Sequence, residues 1–361
     1  MSQFILRALS TEGTMGYTLE EIARLAGVSR STVSRVINQH PNVRPEVRER
    51  VWRVIREVGY YPHAAARNLV TRRSQIVGVV IPETLPKVFG DPYFPVVLHA
   101  ISEALAERGY LLVLSLLTPQ QEEDFYRRAL RGRVVDGIIV VSARTTDPLI
   151  ARAYRDGLPV VSIGRYPEEP NVSYVDADNV EGARVATEHL LRLGRRRVAT
   201  IAGPQTMAPG VDRLEGYRIA MQAWGINPPP EWIAEGDFTE AGGYIAMRRL
   251  LPAHPDAVFA ASDLMAVGAL KAIREAGLRV PDDIALVGYD DVELARYTDP
   301  PLTTVRQPIT ELGRVAVRLL LRQLEEGAHD PQRVILPTEL VIRSSCGALQ
   351  TFSPSLSKPG I

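Results

Sequence analysis

The chain has 361 residues, 45% of them hydrophobic and 23% charged, a balance that fits two or three folded domains and excludes a fibrous or disordered protein. Its apolar runs, such as 138–141, fall far short of the ~18 residues a bilayer span needs, and no basic-then-apolar leader opens it, so neither membrane nor export is expected. The single Cys346 excludes a disulfide framework and suits a reducing cytoplasm, while six scattered histidines lack ligand spacing, so no metal and no cofactor is expected.

The formal charge is zero overall but segregated. Residues 1–73 carry twelve arginines and six acids, a balance of +6; the other 30 basic and 36 acidic residues leave −6. A basic head on an acidic body predicts a separate module for a polyanion.

Residues 1–16 show no sustained periodicity and read as a disordered arm, or as an upstream extension if translation begins at Met15. From Thr18 the pattern is helical. Thr18 and Glu21 are spaced as a capping box, Leu19, Ile22, Ala23 and Ala26 form one apolar stripe, and Gly27 stands where a helix commonly ends. Ser29 can cap a second helix. On that helix Val33, Val36 and Ile37 point one way, while Arg30, Ser31, Ser34, Arg35 and Asn38 point the other. The outward set offers guanidinium forks, hydroxyls and an amide with no carboxylate, which suits base edges and phosphates. Pro45 opens a third helix whose Val47, Val51, Val54, Ile55 and Val58 face inward, ending at Gly59.

Residues 63–71 are alanine-rich but too short to hold a helix unaided. From 76 onward apolar runs of strand length alternate with amphipathic helical segments. The strands fall at 76–81, 111–115, 137–141, 160–163, 172–175, 198–202, 257–261 and 284–288. The helices lie around 95–108, 120–131, 148–156, 180–193, 211–224, 240–251, 264–276 and 309–326. Near-continuous apolar strands alternating with helices predict an α/β fold with parallel sheets, and eight strands exceed one ordinary sheet, so two lobes are expected. The tail 349–361 reads as disordered.

The run from Tyr17 to Asn38 resembles the DNA-binding signature of the lactose/galactose repressor (LacI/GalR) family. The similarity continues through 59–62, 66–69, 76–81, 91–94, 175–179, 288–291 and 301–304, and so covers essentially 17–345. The resemblance implies a transcriptional regulator, most simply a repressor. It would bind a palindromic double-stranded DNA operator as a homodimer and be released by a small sugar-like effector. It implies a helix-turn-helix headpiece at 17–61, a hinge helix and linker at 62–73, and a two-lobed effector domain like periplasmic binding proteins at 74–348. Lobe 1 would take about 74–176 and 306–336, and lobe 2 about 177–304 and 338–348.

The DNA-binding residues it implies are Thr18, Ser29, Arg30, Ser31, Ser34, Arg35, Asn38, Tyr60, Ala66, Arg67 and Leu69, with Leu69 as a minor-groove wedge. The effector residues are Tyr93, Phe94, Arg213, Phe238, Ser262, Asp290 and Gln307. The sequence departs from the family pattern at His63 and Arg44, both at helix starts. It departs also at Pro82 and Gly164, where some sugar-responsive relatives carry polar side chains, and Arg165 is a candidate to compensate for Gly164. No phosphate loop, nucleophile elbow or zinc motif is present to support an enzyme. A transport binding protein would not explain the headpiece.

Overall fold

The computed structural model describes residues 17–37, 40–60, 73–117, 119–327 and 330–348. The expected arm, hinge helix and tail, with His63, Asn38, Ala66, Arg67 and Leu69, lie outside the described residues. The chain divides into two compact units, 1–74 and 75–361.

The first unit holds α1 (Leu19–Ala26), α2 (Arg30–Ile37) and α3 (Pro45–Val58). The capping box forms as spaced: Glu21 N–H donates to Thr18 Oγ1 at 3.3 Å and Thr18 N–H to the Glu21 carboxylate at 2.8 Å. Gly27 closes α1 in the left-handed conformation (φ 63°), which a side chain would resist. Ser29 Oγ accepts from Thr32 N–H at 3.2 Å and caps α2. Arg44, the departure noted above, starts α3 with no side-chain cap. Ile22, Ala23, Ala26, Val33, Val36, Val51 and Ile55 close a small core of their own.

The second unit contains two six-stranded sheets. The first is built from β1 (Ile76–Ile81), β2 (Leu111–Leu116), β3 (Gly137–Val141), β4 (Val160–Ile163), β5 (Ser173–Ala177) and, much later, β11 (Arg333–Leu336). Its order is β11-β5-β4-β3-β1-β2, all parallel. Val77, Val79, Ile81, Ile139 and Val141 face one way, towards α5 (Tyr93–Ala106) and α12 (Ile309–Glu326). Val80, Ile138 and Val140 face the other way, towards α7 (Pro148–Arg155). Burial on both faces of β1, β3 and β4 explains strands without polar alternation, while the edge strand β2 leaves Leu111, Val113 and Leu114 exposed. The short α4 (Leu85–Gly90) follows β1, and α6 (Pro119–Phe125) follows β2.

The second sheet is built from β6 (Val198–Ala202), β7 (Ile233–Glu235), β8 (Ala257–Ala260), β9 (Ala285–Asp290), β10 (Thr303–Arg306) and β12 (Glu339–Val341), in the order β12-β10-β9-β8-β6-β7. On one face lie α10 (Glu240–Leu250) and α11 (Asp263–Glu275), on the other α8 (Asn179–Arg192) and α9 (Ala208–Ala223).

Three findings differ from the sequence expectation. The strands β7, β10, β11 and β12 are not among those expected: each has three or four residues and carries a charged one, Glu235, Arg306, Arg333 and Glu339, unlike the equally short β4 and β8. Of these, β12 pairs antiparallel to β10, so the second sheet is not wholly parallel. The helix expected over 120–131 changes at Tyr126 into a π-helical segment, Tyr126–Arg131. There the buried Tyr126 lies under the Arg152 guanidinium, 3.7 Å from ring centroid to Cζ, and donates its hydroxyl proton to Asp156.

Candidate functional site

The first candidate site is the outer face of α2. Arg30, Ser31 and Arg35 are exposed, Ser34 is half-buried, and no carboxylate lies within α2 itself. The structure corrects one point, because Glu20 of α1 reaches over and pairs with Arg30 Nε at 2.8 Å, both side chains well exposed. The face is therefore not free of negative charge. Two further residues expected to touch DNA are used locally. Thr18 is the α1 cap, and Tyr60 is buried in the headpiece core.

The second candidate is a cleft between the carboxyl ends of the two parallel sheets, where α/β sheets place their ligands. It encloses about 770 Å³ of non-atom space, its open mouth included. All seven residues expected at an effector site line it: Tyr93, Phe94, Arg213, Phe238, Ser262, Asp290 and Gln307. Gly164 and Arg165 line it too, Gly164 in the left-handed region at φ 100°. Phe94 is largely committed to the core of the first lobe, set edge-on to Tyr93 with centroids 5.5 Å apart. Ser262 Oγ accepts from Met265 N–H at 3.2 Å as the cap of α11.

Arg213 is the centre of the polar network. It is 4% exposed, yet its charge is matched on every side. Its Nε donates to Asn179 Oδ1 at 2.9 Å, and Nη1 donates to the Ala261 carbonyl at 2.6 Å and to Asp290 Oδ1 at 3.2 Å. The guanidinium also lies 3.7 Å from the centroid of the Tyr289 ring, a cation–π contact. Three of its five N–H donors are thus engaged, and the two on Nη2 are left for a ligand. Gln307 Nε2 donates to the same Asp290 Oδ1 at 2.7 Å, so Asp290 keeps Oδ2 as an acceptor. A paired donor and acceptor side by side can hold two neighbouring hydroxyl groups.

Burial pushes the Asp290 carboxyl up to about 7, against the opposing pull of Arg213. Burial likewise raises Asp176 to about 6, although the Arg165 amide donates to it. Asp290 and Phe238 both hold positive φ, 117° and 66°, conformations that cost energy for side-chain residues and collect at ligand sites. The neighbouring Asp291 turns away and takes Arg306 at 2.7 Å and Arg343 as partners.

Sequence reading missed Lys87, Asp91, Ser142, Ser162, Asp176 and Asn179, which also line the cleft. Ser162, inside the apolar strand 160–163, and Asp176, at the end of β5, carried a legible signal: a polar residue at the carboxyl end of a buried strand. Asn179 carried none. Its Nδ2 donates to Asp176 Oδ1 at 2.9 Å, so it joins β5 of one lobe to the other lobe's Arg213.

A three-helix head with an arginine-bearing outer helix, joined to a two-lobed domain with a polar cleft, defines a ligand-responsive DNA-binding regulator. Residues 18–63 match the family described as bacterial regulatory proteins, lacI family, and residues 187–346 match the periplasmic binding protein-like domain. The transcriptional regulator CelR of Thermobifida fusca is 46% identical over 333 residues, covering 91% of this chain and 98% of that protein. The ribose operon repressor of Escherichia coli K12 is 37% identical over 334 residues, covering 91% and 99%. Among solved structures, a CelR–cellobiose complex is similar at TM-score 0.73 and 43% identity, covering 91% of this chain and 99% of that one. The lac repressor dimer bound to operator and the anti-inducer ONPF gives 0.81 and 30%, covering 92% and 99%. The chain belongs to the LacI family of bacterial regulatory proteins. It is a DNA-binding transcriptional regulator and not an enzyme.

Proposed function

We propose that this regulator is a repressor that holds an inverted-repeat operator as a homodimer and releases it when a small neutral sugar fills the cleft, with cellobiose the first candidate. The observation that carries the ligand class is the donor–acceptor pair left open on Arg213 and Asp290, flanked by the rings of Tyr93 and Phe238. The cellobiose complex of a relative 43% identical supports the choice of sugar, and the operator-bound lac repressor dimer supports the assembly. In this reading the headpiece is 17–61, the hinge 62–73 and the sensor 74–348, its lobes divided near 176, 305 and 337. Arg35 reads a base pair; Ala66, Arg67 and Leu69 enter the minor groove. A ligand can act only by preferring one lobe arrangement, and a change in lobe angle alters the separation of the two attached hinges.

Calorimetric titration with cellobiose, ribose and nucleosides, with and without operator DNA, tests this. Cellobiose is expected to bind and to weaken operator affinity by about 5–150-fold, with operator weakening cellobiose equally. Binding of nucleosides alone overturns the ligand class. Tighter operator binding with sugar overturns the sign.

A further inference from the structure

We propose that Arg165 and Asp212 form a latch between the two lobes, one strand from the β5 crossing, and that the cleft opens fully only when this latch breaks. Arg165 follows β4 of the first lobe, directly after the left-handed Gly164. Its amide donates to Asp176 Oδ2 at 2.9 Å, which fixes the backbone from which the side chain springs. The guanidinium Nη2 then reaches Asp212 Oδ1 at 2.5 Å on α9 of the second lobe. Asp212 is the more enclosed partner, with 15% of its side chain exposed against 41% for Arg165. Burial pushes the Asp212 carboxyl up and the Arg165 charge pulls it down.

A second link lies beyond the first. Thr145, after β3, donates its N–H to the Thr206 carbonyl, after β6, at 2.8 Å. The lobes cross over where β5, β10 and β11 end and β12 begins, at one edge of both sheets. From that edge β4 is third and β3 fourth in one sheet, and β6 is fifth in the other. At ~4.8 Å per strand, the Thr145–Thr206 bond acts roughly 15–20 Å from the crossings. Rotation about the crossings therefore separates this outer link most, and strains the Arg165–Asp212 pair through its reach from β4 to α9. The Thr145 hydroxyl donates to the same carbonyl at 3.2 Å; the Arg165–Asp212 contact is a charged pair made by two side chains, which makes it the part that substitution can remove cleanly.

The latch rests on the cleft reading only for its biological use, so the deciding measurement needs no ligand. Spin labels are placed on the full chain at the exposed positions Phe89, after β1, and Ala241, at the start of α10; the buried Cys346 stays in place. Pulsed dipolar spectroscopy reads the distance between lobes. Arg165→Gln and Asp212→Asn should each raise the ratio of long to short distances by about fivefold, as expected of a partly exposed pair. The double variant Arg165→Asp/Asp212→Arg should return it towards the parent. Unchanged distances in both single variants overturn the latch, and so does a shift that the swapped pair leaves in place. If the variants show the distance shift and the parent chain does not bind cellobiose, the latch stands and the sugar is refuted.

Discussion

Asp290 accepts from Arg213 and Gln307 through one oxygen while burial raises its carboxyl to about 7. An aspartate in the unfolded chain titrates near 3.8, so across the interval between, the unfolded chain has lost a proton that the folded chain keeps. This group therefore favours folding most below about pH 4, and that support is gone once pH has risen through 7. Asp290→Asn, which keeps an acceptor for Arg213, should flatten the fall in Tm between pH 5 and 8. An unchanged pH slope would place the proton on another group. Arg213 and Asp290 were legible in the sequence because the family resemblance marks both positions. Asn179 was not. Its role exists only through a contact with Arg213, 34 positions away, and spacing in the sequence does not encode such a meeting.

At the scale of elements, α1, α2 and α3 were readable because their ends carry chemistry: the Thr18–Glu21 box, Gly27, Ser29 and Pro45. The second lobe's edge strands were not, since three residues such as Glu339–Val341 are strand only because β10 offers them a partner. The Glu20–Arg30 pair is also a product of packing, joining two helices whose individual patterns read correctly. It sets up opposite outcomes on one face. Arg35→Ala should weaken binding to a selected operator by ~1–3 kcal/mol, the value of one bidentate base contact. Glu20→Gln should strengthen binding by releasing Arg30 and removing a charge that repels phosphate. Equal affinities for parent and both variants, compared by gel shift at matched salt, would remove this face from DNA recognition.

Across the whole molecule the charge that cancels in sum is divided by task. The first 73 residues hold +6, while the cleft is lined by three basic and three acidic residues, Lys87, Arg165 and Arg213 against Asp91, Asp176 and Asp290. Operator affinity should thus fall steeply and log-linearly with salt as counterions are released, whereas cellobiose affinity should stay nearly flat over the same range. Titrations at several KCl concentrations check both, and a steep slope for the sugar would mean that the cleft carries net charge. The division has a counterpart in time. The headpiece is complete by residue 60, but β11 and β12, which finish the first and second sheets, come from residues 333–341. A ribosome adding about 5–20 residues per second exposes the DNA-reading helices some tens of seconds before either lobe can close its last edge. During synthesis, the part that reads DNA is finished while the part that senses is still waiting for its final strands, and a chain released before residue 333 would keep the first while both sheets of the second lack an edge strand.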